Sequence, residues 1–400
     1  MEATLPSEDD RLKGSVRLGG YLRKLREGYG YSLRRVEERA RAVGGEIDNS
    51  QLSRYEKGIC FPSFDKLRVL AGVFNVSVQA FSDVCDLEEF QHLRPETGGP
   101  AELVDLGIAA LRAGDAGLAF ARFERAIEVL LEQPDAPGVR QRIAQARIDG
   151  AAALIRLGKL ALAEQELRVA LRDGGDLEDA VVARAMLALA NVHVELGDLH
   201  LAELEADRAH EMAEDAGDRQ LAARALHTGG FLLARRGRHA CAIEKLRVAA
   251  SRYDELSDPV EAARSRLAVG VSLVASGKHR EGIRLLEGSV VECRELGNRR
   301  LEALAWSHLG EAWFRADHSG HARRCLRESD TLSGGDRTRF ADVLFVNAYY
   351  EWRMARLEDH PTREKIAFGR LRALRSGIEK RFPELDEFDQ FIEKRGGSHA

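Results

Sequence analysis

At 400 residues the chain is too long for one ordinary domain, and its composition, 44% hydrophobic with 6% aromatic residues, favours a helix-rich globular protein. No apolar run is long enough to span a bilayer, the acidic start is unlike a secretory signal, and the five cysteines never form a CxxC pair, so we expect a cytoplasmic protein with reduced thiols. The net charge of −5 hides a basic segment, because residues 11–70 carry fourteen Lys and Arg against seven Asp and Glu. This asymmetry predicts that only the N-terminal segment meets a polyanion.

The N-terminal segment begins with a polar stretch, residues 1–14, that we expect to be disordered. Residues 15–86 then divide into five short helices, because apolar residues recur at helical spacing and glycines end the first and third helices. N-terminal caps for the second to fifth helices are available at Ser32, at Asp48 or Asn49, at Ser63 and at Ser77. The pattern predicts a compact all-α domain.

The third of these helices, "NSQLSRYEKG" at residues 49–58, has an unusually polar side. Leu52 and Tyr55 are spaced to face the domain core. The other side presents amide, hydroxyl and guanidinium groups, which a helix buried on all sides would not usually carry. Glu56 is expected to make an internal ion pair with Arg23 or Arg26.

These helices carry motifs in a specific order and spacing, over about 65 residues. The motifs are Leu18 to Arg26, Ser32-Leu33, Ser53 with Glu56 and Gly58, Pro62-Ser63, and Leu67 to Ala71. The segment resembles an XRE-type, lambda-repressor-like helix-turn-helix domain. It departs from that pattern at Glu37, where a small residue is usual, and in the longer turn "ARAVGGEID".

The resemblance implies that the third helix lies in the major groove of double-stranded DNA. Side chains on or near its groove side would be Asn49, Ser50, Gln51, Ser53 and Arg54. Amide and guanidinium groups can pair with adenine and guanine edges, respectively. The DNA phosphates would be contacted by Arg34, Arg35, Lys57 and Lys66.

A linker, residues 87–100, precedes a segment that repeats itself over 101–336. Gly197, Gly237, Gly277 and Asp317 lie forty residues apart, and each unit reads as helix, tight turn, helix. Small residues recur where two helices must approach closely, as at Gly230. The segment is similar to tetratricopeptide repeats. Residues 337–400 are expected to supply a final repeat helix and a C-terminal cap.

The resemblance implies a solenoid whose inner wall is formed by the first helix of each pair. The residues predicted to line a ligand groove there are Arg184, Asn191, Arg224, His227, Phe231, Arg264, Ser307, Glu311 and Asn347. The three arginines recur at the forty-residue period and suit carboxylates or carbonyls of a peptide. Alternatively, they pair with glutamates of the same repeats.

The combination resembles bacterial cytoplasmic peptide-sensing transcription regulators. It implies an operator-binding homodimer whose repeats bind a peptide or protein ligand. The alternative is a repeat scaffold or antitoxin-like partner that uses its helix-turn-helix mainly for docking. We expect no catalytic site, cofactor or metal, since "LGKL" and "SGKH" lack the rest of a P-loop and the trio His318, His321 and Cys325 lacks a fourth metal ligand.

Overall fold

The computed structural model describes residues 14–133, 136–173, 177–334, 340–378 and 382–396; of residues 395 and 396 it describes only the backbone. The expectation of a disordered N-terminus therefore falls almost entirely outside the described residues. The chain divides into two compact units at residues 177 and 178. The described residues form α-helices and no strand, as the all-α prediction requires. None of the helices in these ranges is both long and apolar enough to cross a membrane.

The first unit contains the five predicted N-terminal helices and two helical pairs. The helices are α1 (Val16–Gly28), α2 (Leu33–Ala42), α3 (Asn49–Glu56), α4 (Phe64–Phe74), α5 (Val78–Asp86), α6 (Pro100–Ala113), α7 (Ala116–Leu131), α8 (Val139–Arg156) and α9 (Leu160–Asp173). A short 3-10 helix, Leu87–Leu93, occupies half of the predicted linker.

The N-terminal domain forms because each helix contributes an apolar stripe to one core. Leu22, Val36, Leu52, Leu70 and Phe81, one from each helix, are each at most 1% exposed. Burying a large apolar side chain stabilises a fold by about 1.5–3 kcal/mol. This core therefore determines how the five helices pack together.

The caps predicted for this domain are present in the structure. The side chains of Ser32, Asp48, Ser63 and Ser77 each accept a hydrogen bond from the backbone N–H three residues later. Each bond satisfies a donor that the helix itself leaves unpaired. The helix starts are thus determined locally, as the sequence indicated.

The second unit consists of helical pairs and a closing helix. Its helices are α10 (Asp179–Leu196), α11 (Leu199–Asp215), α12 (Arg219–Arg235), α13 (His239–Glu255), α14 (Pro259–Ala275), α15 (His279–Glu295), α16 (Arg299–Arg315), α17 (Ser319–Ser333), α18 (Ala341–Leu357), α19 (Pro361–Arg375) and α20 (Pro383–Gly396).

Glycine in the first helix allows close packing against the second helix of a pair. A Cβ added at Gly230 would lie 2.6 Å from the side chain of Leu246, and one at Gly270 would lie 2.8 Å from that of Leu286. These leucines are fully buried. The repeated small residue is therefore required by the close approach of the paired helices.

The turns between paired helices use a left-handed residue at the period that the sequence shows. Gly197, Gly237 and Gly277 have φ of +85°, +75° and +85°. The two later turns place Asp317 and Asp359 at φ of +62° and +50°. The interval is forty residues up to Asp317 and forty-two for the last turn, so the last pair is shifted by two residues.

Aromatic packing closes the second unit. Phe388 of α20 is fully buried and lies 5.6 Å from the ring of Phe345 and 6.1 Å from that of Trp352. Edge-to-face pairs of this kind stabilise beyond the area they bury. The segment predicted as a cap thus supplies apolar side chains to the last repeat helix.

Candidate nucleic-acid interface and repeat face

The polar helix of the N-terminal domain, α3, has one side buried and one side open. Leu52 is 1% and Tyr55 8% exposed, so both face the core as predicted. Asp48 accepts a hydrogen bond from the backbone N–H of Gln51 at 2.8 Å and fixes the helix start. Gly58, at φ +67°, lies just beyond its end. The helix is short, capped and held by its apolar side.

Helix α3 packs closely against helix α1. A Cβ at Gly19 would lie 2.6 Å from the carbonyl oxygen of Tyr55 and 2.7 Å from that of Glu56, so only glycine allows the two backbones to approach this closely. Arg26 Nε donates to Glu56 Oε1 at 2.7 Å, and Arg23 lies 3.7 Å from the same carboxylate. The predicted internal ion pair is confirmed.

This ion pair is largely removed from water. The Glu56 side chain is 5% exposed and that of Arg26 16%. The hydrogen bond from Arg26 to Glu56 raises the pKa of the guanidinium above its ordinary value. Because a buried charge needs a partner, the pair locks α3 onto α1.

The polar side of α3 is accessible from its first residue to its end. Its predicted base-reading residues are exposed at Asn49, Ser50 and Arg54 and partly exposed at Gln51 and Ser53. Lys57, directly after the helix, is exposed. A continuous edge of donors and acceptors therefore faces outward, with the chemistry that base edges require.

The other predicted phosphate contacts, Arg34, Arg35 and Lys66, lie on the neighbouring helices α2 and α4. Arg34 and Arg35 of α2 lie 3.8 Å and 3.0 Å from the Glu38 carboxylate, in exposed pairs that are easily exchanged. Lys66 donates to the backbone carbonyl of Glu46 in the long turn before α3. In this conformation Lys66 therefore holds that turn, whereas the two arginines point into solvent.

Glu37, the departure from the family pattern, is a partly exposed residue of α2. Its carboxylate pairs with Arg41 one turn later. The longer turn is anchored by Ile47, which is 2% exposed. Neither departure covers the polar side of α3.

The repeat face in the second unit is a stripe along the first helices. We define the first-helix stripe as Arg184, Asn191, Arg224, Phe231, Arg264 and Glu311. Successive members on one helix are seven residues apart and so share a face. Arg224 and Arg264 are exposed, and Phe231 is 40% exposed. Arg264 also pairs with Glu261 at 2.8 Å, which agrees with the alternative that the arginines pair with glutamates of the same repeat.

Two residues predicted to line the groove lie instead between repeats. His227 and Ser307 share a phase of the forty-residue period with Leu187 and Leu267, which are 2% and 5% exposed. Ser307 is 2% exposed, and His227 contacts Ser265 Oγ of the next repeat at 2.9 Å. This phase is used for packing, so the prediction was wrong at the buried Ser307, whereas at His227 the ring is partly exposed but engaged with the next repeat.

Asn347 is a third correction, caused by the two-residue shift of the last pair. Counted from the left-handed turn, Asn347 corresponds to Ala305, and both are 0% exposed. Its amide nitrogen donates to Ser329 Oγ at 2.9 Å and to Asp330 Oδ1 at 2.8 Å. The side chain binds α17 and is closed to any ligand in this conformation.

Glu311 is held by a polar cluster at the C-terminal end of the stripe. Burial would raise the pKa of this carboxyl, but His308, Arg315 and Tyr350 outweigh it and lower the pKa to about 2. Arg315 Nε donates to it at 2.8 Å. His308, three residues before Glu311, was not predicted from the sequence as a groove residue, although helical spacing alone places it beside Glu311.

The three residues considered as metal ligands, His318, His321 and Cys325, make other contacts. The rings of His318 and His321 lie 5.4 Å and 4.8 Å from that of Trp313. Cys325 is 5% exposed. Across the described ranges no three His, Cys, Asp or Glu side chains come together as metal ligands would.

Comparisons with known proteins agree with both parts of this description. Residues 17–81 match the family model described as a helix-turn-helix domain. Among curated proteins none matches the chain significantly.

Solved structures resemble the chain in fold. The apo form of RapI has a TM-score of 0.53 at 13% identity, over 70% of this chain and 77% of that one. A Rap protein complexed with Competence and Sporulation Factor has a TM-score of 0.53 at 12% identity, over 74% and 87%. A tetratricopeptide repeat protein from Parabacteroides merdae has a TM-score of 0.50 at 14% identity, over 70% and 94%. The chain therefore joins a helix-turn-helix domain to tetratricopeptide-like helical repeats, and the predicted fold is confirmed.

Proposed function

We propose that the protein is a sequence-specific DNA-binding transcription regulator of the XRE type, acting in a bacterial cytoplasm. The observation that carries this proposal is the open polar side of α3. It presents Asn49, Gln51 and Arg54 outward while Leu52 and Tyr55 hold the helix to the core. A helix docked by one side and polar on the other suits insertion into the major groove.

Charge supports the same partner. Residues 11–70, most of which lie in this domain, carry a basic excess, and the rest of the chain carries an acidic excess. Arg34 and Arg35 in α2, with Lys57 after α3, supply the cations that position a protein on phosphates. DNA binding should therefore weaken steeply with salt, by a log–log slope of about −0.9 per phosphate neutralised.

Selection of bound sequences from a random DNA pool by the full chain tests this function. Gln51→Ala and Arg54→Ala should each weaken binding to the selected sequence by roughly 1–3 kcal/mol. The comparison variant Lys57→Ala should weaken binding to all DNA alike and reduce the salt slope by about 1. If no sequence is enriched, the proposal fails and the scaffold or antitoxin-like alternative gains support.

We further propose that the first-helix stripe binds a peptide or protein ligand and that the regulator works as a homodimer. Arg224 and Arg264 offer donors for carboxylates or carbonyls, and the exposed ring of Phe231 offers an apolar contact. A Rap protein of similar fold is complexed with Competence and Sporulation Factor, which supports the proposal of a ligand.

A random peptide library panned against the full chain tests the ligand proposal. Arg224→Ala with Arg264→Ala should abolish recovery of the peptides that the unmodified protein selects. The matched control is Arg208→Ala with Arg247→Ala, which removes two exposed arginines from second helices. Equal loss in both variants would contradict a specific role of the stripe. Sedimentation equilibrium tests the dimer.

A further inference from the structure

Helix α1 has two opposite faces with different partners within the first unit. Gly19, Leu22 and Arg26 face the domain core and α3. Arg17 and Tyr21, one turn apart, face the repeat helices α7 and α9 instead. The same rigid helix therefore contacts both the DNA-reading helix and the repeats.

The contacts of this second face are specific. Arg17 pairs with Glu124 of α7, and its guanidinium lies 5.1 Å from the ring centroid of Phe120. The hydroxyl of Tyr21 donates to Gln165 Oε1 of α9 at 2.5 Å. Burial raises the pKa of this phenol, so it stays a donor at any physiological pH.

A third contact joins the repeats to α5. Lys159 lies in the "LGKL" turn before α9, a motif that lacks the rest of a P-loop. Its Nζ lies 2.5 Å from Asp86 Oδ2 and 3.4 Å from Asp83 Oδ1. The Asp83 side chain is only 5% exposed and also accepts from Gln79 at 3.0 Å. The lysine thus neutralises a carboxylate that the domain itself buries.

Apolar packing between these elements is incomplete. A cleft of about 1470 Å³ lies between α1 and α5 on one side and α7 and α9 on the other. Phe90 of the connecting 3-10 helix packs tightly over Gly117 at the start of α7. Because a cleft of this size interrupts the apolar packing, the three polar contacts contribute to holding the domain's orientation.

We propose that Glu124, Lys159 and Gln165 determine which half-site spacing the protein accepts. This inference rests on the proposed function, binding of operator DNA as a dimer. Two helix-turn-helix domains meet half-sites whose separation mirrors the distance and angle between the domains. These three repeat residues set the angle of each domain while touching neither DNA nor the polar side of α3.

Zero-length carbodiimide crosslinking of the full chain, read by mass spectrometry, tests the contact without DNA. The reagent should join the Lys159 amine to Asp83 or Asp86, and Lys159→Gln should remove this product. The pair Lys245 and Asp207, also 2.5 Å apart, is the internal control and should crosslink in both proteins. Absence of the Lys159 product while the control forms would overturn the proposal.

Duplexes with two half-sites at varied spacing test the consequence. Moving one half-site by about 5 base pairs, half a helical turn, should weaken binding of the unmodified protein roughly tenfold, because the second domain loses its effective concentration. In a variant with Glu124→Gln, Lys159→Gln and Gln165→Ala we expect this penalty to fall to about threefold or less. Affinity for a single half-site should change less than twofold.

A matched control carries Glu203→Gln and Lys245→Gln, which break ion pairs of the same kind in the second unit. It should keep the full spacing penalty. If the triple variant keeps it too, the inference is wrong while the proposed function stands. If the unmodified protein selects no DNA, the proposed function fails and this inference fails with it. Should the triple variant not fold, Lys159→Gln alone decides, and an unchanged spacing profile there counts against the proposal.

Discussion

Replacing Gly19 by alanine should push α1 away from α3, the helix proposed to read DNA, whereas the same change at the neighbouring Gly20 should not. At Gly19 the new methyl group would lie 2.6 Å from the Tyr55 carbonyl oxygen and 2.9 Å from the Glu56 carbonyl carbon. These are backbone atoms, so no side-chain rotation can relieve the overlap. At Gly20 nothing lies within 4 Å of the added atom.

The expected magnitudes follow from two opposing effects. Both substitutions gain helix propensity, worth about 1 kcal/mol for alanine over glycine. Only Gly19→Ala adds an overpacking cost of about 1–3 kcal/mol, at the upper end when backbone must move. We therefore expect Gly20→Ala to stabilise the domain by up to about 1 kcal/mol. The Gly19→Ala domain should be less stable than the Gly20→Ala domain by about 1–3 kcal/mol.

Hydrogen exchange of the full chain, resolved to peptides of α1 and α3, measures this difference. A local method is needed because a chain of two units has no single free energy of unfolding. Gly19→Ala should also weaken binding to the selected DNA, since its reading helix is displaced. Equal protection of α1 and α3 in the two alanine variants would refute the argument that a close backbone contact holds these helices together.

Two further predictions concern buried charge. Glu56→Ala should destabilise the N-terminal domain by about 3 kcal/mol in the same exchange experiment, because it leaves the largely buried Arg26 without its carboxylate partner. Glu38→Ala breaks only exposed pairs and should cost at most about 1 kcal/mol. Similar losses would contradict this ranking. Burial, and secondly the Arg264 guanidinium, lower the pKa of His227 from 6.5 to about 4. The unfolded chain binds the proton first, so the second unit should lose stability as the pH falls from about 6.5 to 4, by at most about 3 kcal/mol, and stay stable above that window. His227→Leu should remove this part of the acid sensitivity in thermal melts at pH 7 and 4.5, and a curve with unchanged pH dependence would show that another group titrates.

Local physical rules explain why so much of the fold could be predicted. Helix caps such as Asp48 depend on a side chain and an N–H three residues later. Leu52 and Tyr55 follow from helical spacing. The pairing of Glu56 with Arg26, 30 residues away on another helix, could be predicted only from the motif that both residues belong to. The forty-residue period, marked by left-handed glycines such as Gly197, is visible because the same residue types recur at a fixed interval.

Register and orientation along the repeats were harder to predict. The period shows which residues are equivalent but not which phase faces solvent, and His227 was assigned to the groove although its phase packs between repeats. Asn347 was misplaced because aspartates, rather than glycines, take the left-handed turns at Asp317 and Asp359, so the two extra residues between them left no visible mark.

The sequence by itself determined the helices, their caps and the polar side of α3, because each depends on residues within one or two turns of each other. It also determined the repeat unit, because the same residue types recur at a fixed interval. Only the tertiary structure decided which side chains meet across the first unit. Arg17 and Glu124 are 107 residues apart, and Lys159 lies 76 residues from Asp83. Charged residues are common along the whole chain, so no local pattern distinguishes these pairs from any others. Their pairing depends on how the N-terminal domain rests on the first repeats, and that arrangement is a property of the folded chain.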